Sequence, residues 1–208
     1  MKFICFDLDG TVTREQSWLK LNMSLGMTQQ RDEELFLSYN SNKITYEQWQ
    51  EAIVASYVRT DISHENLVVE AFANPKLLPE ARRVIDELKD KGYVVVLISG
   101  SFDYYVQRVA DILGVHDYRA CSKLVYDNEG YVTAVIHSGD EHTAKLTYLE
   151  ELAQKYSTPL NECICVGDGP NDVEMFKATG KGITFTGSSI ENEAWKVVDS
   201  LEEVLDIV

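Results

Sequence analysis

The chain has 208 residues, enough for one domain with a sizeable insertion or for two small domains with a real hydrophobic core. Its hydrophobic content of 45% and charged content of 25% are ordinary for a soluble globular protein. The formal net charge of −15 at pH 7 argues against a nucleic-acid or anionic-membrane partner, which would need clustered Lys and Arg. An anionic substrate stays open, because charges beyond about 8 Å are screened at physiological salt and a local cation can dominate.

The sequence shows neither a membrane helix nor a metal-binding cysteine pattern. No run approaches the roughly 20 apolar residues of a bilayer span, and the first strand follows Met1 directly, so we expect no signal peptide. The cysteines lie mostly in apolar runs and the histidines do not cluster: Cys5, Cys121, Cys163, Cys165; His64, His116, His137, His142. We expect buried free thiols and a cytoplasmic protein.

The first predicted strand, residues 3–6, ends at two carboxylates. Asp7 follows this buried apolar run and Asp9 lies two residues later, before Gly10 and the hydroxyls of Thr11 and Thr13. Two acids held this close share either a proton or a cation. Taken alone, the pattern is also compatible with a turn of solvated carboxylates.

Residues 15–75 have a different character, because they contain helical periodicity and no convincing strand. Helices are expected around residues 18–25, around 29–40, after Thr45 and after Ser63. Thr45 and Gln48 form a plausible capping box for the third of these helices. The segment therefore predicts an all-helical insert, whose aromatic residues are more often core than substrate contacts.

From Pro79 onwards, strands alternate with helices. A helix beginning at Pro79 and ending at Gly92 precedes a strand over residues 93–98, which Ser99-Gly100-Ser101 ends. A further helix and a hairpin over residues 122–136 follow. The remaining elements are helix 142–156, strand 163–166, loop 167–172 leading into a helix, strand 182–185, and helices near 189–196 and 201–206.

This alternation predicts an α/β fold with a doubly wound, mostly parallel, Rossmann-like sheet. We expect residues 1–14 and 76–208 to form the α/β domain. Residues 15–75 would form a small helical cap, inserted after the first strand and placed over the carboxyl edge of the sheet. The sequence leaves the oligomeric state open.

Three polar clusters end predicted strands, namely Asp7/Asp9, Ser99/Gly100 and Asp168/Asp172, and Lys145 begins a helix nearby in the fold. Parallel strands end at one edge of a sheet, so these residues should converge there. Clustered carboxylates need a cation, and carboxylates with phosphate and water are the usual Mg²⁺ environment. Ser99 and Lys145 can hold phosphate oxygens.

The convergence predicts phosphoryl chemistry with a carboxylate nucleophile, because no other nucleophile is arranged for attack. Asp7 is the best-placed nucleophile, and Asp9 can protonate the leaving oxygen and then activate water. Each cluster alone has an ordinary alternative: a turn at Ser99–Ser101, a solvated Lys145, and a turn or calcium-like loop at residues 167–172. Their joint occurrence in this order favours the functional interpretation.

These motifs resemble the haloacid dehalogenase superfamily of phosphatases, and most closely its phosphoserine-phosphatase-like branch. They are Asp7-Leu8-Asp9-Gly10-Thr11, Ile98-Ser99-Gly100-Ser101-Phe102, Lys145, and Gly167-Asp168-Gly169-Pro170-Asn171-Asp172. The resemblance implies a Mg²⁺-dependent phosphatase in which Asp7 is nucleophile and metal ligand. It implies that Asp9 is acid/base and a metal ligand through its backbone carbonyl, and that Asp168 is a metal ligand. Ser99, Gly100 and Lys145 would bind phosphate, with Asn171 and Asp172 as supports around metal and phosphate.

The substrate is less specified than the chemistry. Gln16 and Ile53 stand where that branch commonly has Glu and Arg, although Glu15 and Arg59 are close by. An Arg matters because a guanidinium binds a carboxylate through two hydrogen bonds. Phosphoserine and another small phosphomonoester therefore both stay open, as does a phosphomutase. A receiver-like switch that stores a phosphoryl group on Asp7 is the alternative that is not an enzyme.

Overall fold

The structure is a computed structural model that describes residues 2–139 and 141–208, without the side chains of Asn40, Glu141 and His142. The strands are β1 (Lys2–Phe6), β2 (Tyr93–Phe102), β3 (Asp117–Tyr126), β4 (Val132–His137), β5 (Cys163–Val166), β6 (Gly182–Phe185) and β7 (Lys196–Val198). The helices are α1 (Ser17–Ser24), α2 (Gln29–Asn40), α3 (Tyr46–Ala55), α4 (His64–Phe72), α5 (Ala81–Asp90), α6 (Asp103–Leu113), α7 (Glu141–Lys155), α8 (Val173–Thr179) and α9 (Val204–Ile207). Short 3₁₀ turns cover Leu160–Glu162, Pro170–Asp172, Glu191–Glu193 and Leu201–Glu203.

Within the described residues, seven strands form one sheet in the order β4-β3-β2-β1-β5-β6-β7. Strand β1 pairs in parallel with β2 and β5, and the parallel pairing continues from β5 to β6 and from β6 to β7. The predicted α/β fold with a mostly parallel sheet is confirmed. Helices α1–α4 follow β1, as the sequence predicted.

The centre of the sheet is apolar on both faces. Phe3 and Cys5 of β1 pack in one cluster with Leu149 of α7 and Phe176 of α8, while the intervening Ile4 is also fully buried. A strand between two helical layers reads as a continuous apolar run because each face is covered. Each large side chain buried in this way contributes about 1.5–3 kcal/mol to folding. The packed core therefore fixes the end of β1, directly before Asp7.

The chain folds into two compact units. One comprises the residues up to Glu15, Pro75–Cys121 and His137–Val208, and the other comprises Gln16–Asn74 and Ser122–Ile136. The second unit therefore contains the outer part of the β3–β4 hairpin, which the sequence had placed with the α/β domain. Within this unit the ring nitrogens of His64 lie 3.1 Å from the Val58 carbonyl oxygen and 3.2 Å from the Val132 amide nitrogen, so His64 is one of the contacts that join the hairpin to the helical segment.

The local predictions in the second unit are well reproduced. The Thr45 hydroxyl accepts from the Gln48 amide, and the Gln48 side chain accepts from the Thr45 amide, so the predicted capping box is confirmed. Ile53 lies in an apolar cluster with Met27 and Leu35, flanked by aromatic residues. The aromatic stripes of the insert therefore contribute to packing.

Several boundaries differ from the sequence prediction. The helix expected near 189–196 is wrong: a 3₁₀ turn is followed by strand β7, which extends the sheet beside β6. The last predicted helix is a 3₁₀ turn plus the four residues of α9. Pro79 lies in the turn before α5, which begins at Ala81. Strand β2 continues through Ser99–Ser101 to Phe102 and does not end at Ile98.

The four cysteines are free and buried, as predicted. In the described part of the chain, no helix combines the length and apolarity needed to cross a bilayer.

Candidate active site

Three carboxylates converge where β1 and β5 end. Phe6 of β1 is in register with Val166 of β5, and the Asp7 amide donates to the Val166 carbonyl oxygen at 2.9 Å. One carboxylate oxygen each from Asp7, Asp168 and Asp172 lie within 4.8 Å of one another. The two strands are parallel neighbours, so the acids that follow them meet at the same edge of the sheet, as the sequence analysis expected.

Lys145 on α7 is the cation inside this cluster. Its ammonium lies 2.9 Å from Asp7 Oδ1 and donates to Asp172 Oδ1 at 2.7 Å, and only 1% of the residue is exposed. Burial alone would lower the pKa of Lys145, but the charges of Asp172 and Asp7 outweigh it and raise the pKa above its ordinary value. Lys145 is therefore held as an ammonium against the nucleophile candidate.

The acids outnumber this single ammonium. Burial, followed by the charges of Asp7 and Asp172, raises the pKa of Asp168 to about 7. Burial also raises the pKa of Asp172 to about 6, although Lys145 lowers it and the Gly169 amide donates to Asp172 Oδ2 at 3.1 Å. The excess negative charge and the all-oxygen donor set fit a hard divalent cation such as Mg²⁺.

Asp9 lies on the same loop as Asp7 but outside this group of three acids. It is half-buried, and its Oδ1 accepts a hydrogen bond from Thr13 Oγ1 at 3.4 Å. A backbone bridge also joins Asp9 to Thr13, so the loop closes on itself. The loop thereby presents two carboxylates in different surroundings, one beside Lys145 and one beside a hydroxyl.

The predicted phosphate-binding residues lie at the end of β2. Ser99 is buried, and its Oγ accepts from the Ser101 amide at 3.2 Å. Asn171 approaches this strand, because a Cβ built on Gly100 would lie 3.1 Å from Asn171 Nδ2. Since Leu97 is in register with Phe6 of β1, Ser99 extends past the paired part of the sheet at the same edge as Asp7.

The sequence predicted no functional role for two further residues of this region, Thr13 and Tyr105. The hydroxyl of Tyr105 donates to Thr13 Oγ1 at 2.9 Å. Tyr105 occupies the buried face of α6 together with Val106 and Val109. Because Tyr105 shares the helical spacing of these apolar residues, the sequence indicates a core residue and gives no sign of a role in the site.

Gly10 gives a test of the acid cluster. It has φ +73°, and a Cβ there would lie 2.0 Å from Asp168 Oδ2. Gly10→Ala should therefore displace the Asp168 carboxylate and weaken Mg²⁺ binding about 10–100-fold, the usual effect of disturbing the surroundings of metal ligands. Titration calorimetry with Mg²⁺ measures this.

Gly92→Ala is the matched control, because Gly92 has φ +83° and no atom within 4 Å of the added Cβ. It shares the backbone strain, about 1–2 kcal/mol, and should leave Mg²⁺ affinity unchanged. Equal Mg²⁺ affinity in Gly10→Ala and Gly92→Ala would contradict the placement of Asp168 in a cation site.

Comparison with known families decides the affiliation of the chain. A model of the haloacid dehalogenase-like hydrolases matches residues 4–177, well over half of the chain. The chain belongs to this family. Among the haloacid dehalogenase-like hydrolases it belongs to the phosphoserine-phosphatase-like branch.

Relatives and solved structures agree with this branch. The chain is 29% identical to a phosphoserine phosphatase of Methanocaldococcus jannaschii over 193 residues, 92% of this chain and 89% of the relative. It is 27% identical to one of Streptomyces coelicolor over 93% of this chain and 46% of that relative, so it spans about half of that protein. A phosphoserine phosphatase structure with a phospho-aspartyl intermediate analogue superposes with a TM-score of 0.84 at 27% identity, covering 100% of this chain and 98% of that one. The predicted class, phosphoric monoester hydrolase, agrees with these matches.

Ile53 and the nearby Arg59, the residues considered above for binding a substrate carboxylate, have definite surroundings in the second unit. Ile53 is 1% exposed and belongs to the apolar cluster there. Arg59 is engaged, because its Nη2 donates to Asp127 Oδ2 at 2.7 Å, its Nη1 lies 3.6 Å from Glu129 Oε2, and its guanidinium lies 4.4 Å from the Tyr131 ring centroid. Ile53 is apolar and cannot bind a carboxylate, and the guanidinium of Arg59 already contacts the carboxylates of Asp127 and Glu129.

Proposed function

We propose that this protein is a Mg²⁺-dependent phosphatase that hydrolyses a small phosphomonoester through an aspartyl-phosphate on Asp7. The observation that carries the proposal is the position of Asp7. Its carboxylate lies at the end of a rigid buried strand, 2.9 Å from the Lys145 ammonium and within 4.8 Å of oxygens of Asp168 and Asp172. A carboxylate so placed can meet an anionic substrate only if cations compensate the charge.

In the first step, one oxygen of Asp7 attacks phosphorus and the bond to the ester oxygen breaks. Asp9 donates a proton to that oxygen, so that an alcohol leaves. In the second step, Asp9 takes a proton from water, the water oxygen attacks phosphorus, and the bond to Asp7 breaks. Phosphate is released and both carboxyl groups return to their initial states.

Several residues would bind the transferred group without reacting. Ser99, Gly100, Lys145 and Asn171 would hold its oxygens through hydroxyl, backbone amide, ammonium and side-chain amide donors. Asp7, the backbone carbonyl of Asp9, and Asp168 would hold Mg²⁺, which supplies charge neutralisation for the phosphoryl oxygens when bound. Asp172 would orient Lys145, to which it is bonded at 2.7 Å.

The test is phosphate release from a panel of phosphorylated metabolites, with Mg²⁺ and with excess EDTA. We expect turnover of at least one small phosphomonoester with Mg²⁺ and none with EDTA. Failure to hydrolyse any member, or hydrolysis that EDTA leaves unchanged, would contradict the proposal.

Two substrate candidates differ by one functional group. The relatives named phosphoserine phosphatases favour phosphoserine, whereas Ile53, at a position where the resemblance implies an Arg, favours a phosphomonoester without a carboxylate. Phosphoethanolamine is phosphoserine without its carboxylate, so a comparison of these two compounds distinguishes the two substrate candidates. If the protein binds the carboxylate through charged hydrogen bonds, kcat/KM for phosphoserine should exceed that for phosphoethanolamine by roughly 10-fold or more. Comparable kcat/KM values for the two compounds would favour a phosphomonoester without a carboxylate.

A cytoplasmic location is also proposed. Four buried free cysteines support it, because thiols stay reduced in that compartment. The net charge of −15 supports a small-molecule substrate over a nucleic acid or an anionic membrane.

A further inference from the structure

A buried tyrosine reaches the loop that carries Asp9. Tyr105 of α6 is fully buried, and the centroid of its ring lies 5.9 Å from that of Phe102. In this apolar setting its hydroxyl donates to Thr13 Oγ1 at 2.9 Å, across 92 positions of the sequence. A buried phenol requires a partner of this kind, since an unpaired hydroxyl in an apolar site is costly.

Thr13 in turn ties the loop together. Its hydroxyl oxygen lies 3.2 Å from the Leu8 carbonyl oxygen and 3.4 Å from Asp9 Oδ1. Its amide donates to the Leu8 carbonyl and its own carbonyl accepts from the Gly10 amide, both at 3.0 Å. Every residue in this chain of contacts belongs to the same compact unit.

The direction of these bonds matters, because a threonine hydroxyl has one proton. When Tyr105 donates to Thr13 Oγ1, the threonine proton is directed towards Leu8 and Asp9. Tyr105 also shares a side-chain hydrogen bond with Asp9 itself, so the phenol and the Thr13 hydroxyl both contact this carboxyl group. Tyr105 thus fixes a hydroxyl that contacts the Asp9 carboxylate.

We propose that Tyr105 is a positioning residue that acts on Asp9 directly and through Thr13, and that it holds the Asp9 carboxyl group where it can protonate the departing ester oxygen. This inference rests on the proposed function, in which Asp9 is the proton donor. Tyr105 and Thr13 would not touch the substrate. Their contribution would be the orientation of Asp9, and misplacement of a catalytic group by about 1 Å can cost on the order of 100-fold in rate.

Leaving-group dependence isolates this role. An alkyl phosphate such as phosphoserine or phosphoethanolamine expels a strongly basic alkoxide and needs the proton. p-Nitrophenyl phosphate expels a stabilised phenolate and does not. The value of kcat/KM reports the steps up to departure of the leaving group. A misplaced Asp9 should therefore lower kcat/KM for the alkyl substrate alone, whereas general damage to the site should lower both.

The experiment compares Tyr105→Phe and Thr13→Val with wild type on p-nitrophenyl phosphate and on the best alkyl phosphate of the panel. We expect each variant to lose about 10-fold or more in alkyl kcat/KM, part of the 10²–10⁴-fold that a general acid supplies. The loss on p-nitrophenyl phosphate should stay below about threefold, a small fraction of that range. Thr13→Ser retains the hydroxyl and should restore most of the alkyl rate. Tyr156→Phe is the control, because it removes a phenol bonded to Asp117 in another part of the unit, and it should change neither rate.

Equal losses on the two substrates, or no loss on either, would overturn the inference while leaving the phosphatase proposal intact. If Tyr105→Phe does not fold, Thr13→Val and Thr13→Ser decide in the same way. A wild-type protein that is inactive on both substrates would contradict the proposed function, and the positioning role with it.

Discussion

Asp7→Asn should reduce kcat on the best phosphomonoester by a factor on the order of 10⁶, the loss seen when a covalent nucleophile is removed from another enzyme. An amide has almost the shape of the carboxylate but cannot form the acyl phosphate. Spontaneous hydrolysis of phosphate monoesters is slow enough that little background reaction replaces it. Initial rates of phosphate release measure the loss.

The fold should tolerate this change. The strand end that carries residue 7 is held by the backbone bond to Val166, and Lys145 keeps its 2.7 Å bond to Asp172. Asp117→Asn is the matched control, because Asp117 also bonds a lysine, Lys155, at 2.6 Å and has no role in the proposed chemistry. Near-native turnover by a folded Asp7→Asn protein would exclude Asp7 as the nucleophile.

Lys145→Met should lower the free energy of unfolding in EDTA by about 3–5 kcal/mol, the usual cost of removing one partner of a buried charged group. Methionine fills a similar volume, so the loss comes from charge and not from a cavity. Asp7 and Asp172 would lose the ammonium that lies within 3 Å of each. Urea unfolding measures the change, and Mg²⁺ should recover part of it by binding to the folded state.

Lys155→Met on the same helix is the matched control. Lys155 pairs with Asp117 at 2.6 Å, but its side chain is 54% exposed. Exposed ion pairs contribute between about 0 and 1 kcal/mol, so this variant should be nearly neutral. The interpretation of the acid cluster fails if Lys145→Met costs no more than Lys155→Met.

The site could be predicted because its acidic residues directly follow predicted strands. Asp7 and Asp168 each follow a short apolar run, and parallel strands must end at a common edge. Lys145 was expected in the site because it lies near the start of a predicted helix and can supply the cation that the carboxylates need. Its burial against two carboxylates became evident only from the fold, since a lone lysine in a helix reads as solvated.

Other features depend on tertiary contacts that no local pattern records. Strand β7 has only three residues, Lys196–Val198, too few for a period of two to be recognised, and its extended form comes from pairing with β6. The contact between Tyr105 and Thr13 joins residues that are 92 positions apart. Within the second unit, the hydrogen bond between the Val132 amide and His64 likewise joins residues that are 68 positions apart.

The decisive measurement is the identity of the phosphorylated residue during turnover. The protein is mixed with a substrate of the panel and Mg²⁺, quenched in acid within milliseconds, digested, and mapped by mass spectrometry. We expect an acid-stable, hydroxylamine-sensitive phosphoryl group on Asp7, absent from Asp7→Asn. A phosphoryl group on any other residue, or turnover in which no phosphoenzyme forms under single-turnover conditions, would contradict the proposed mechanism.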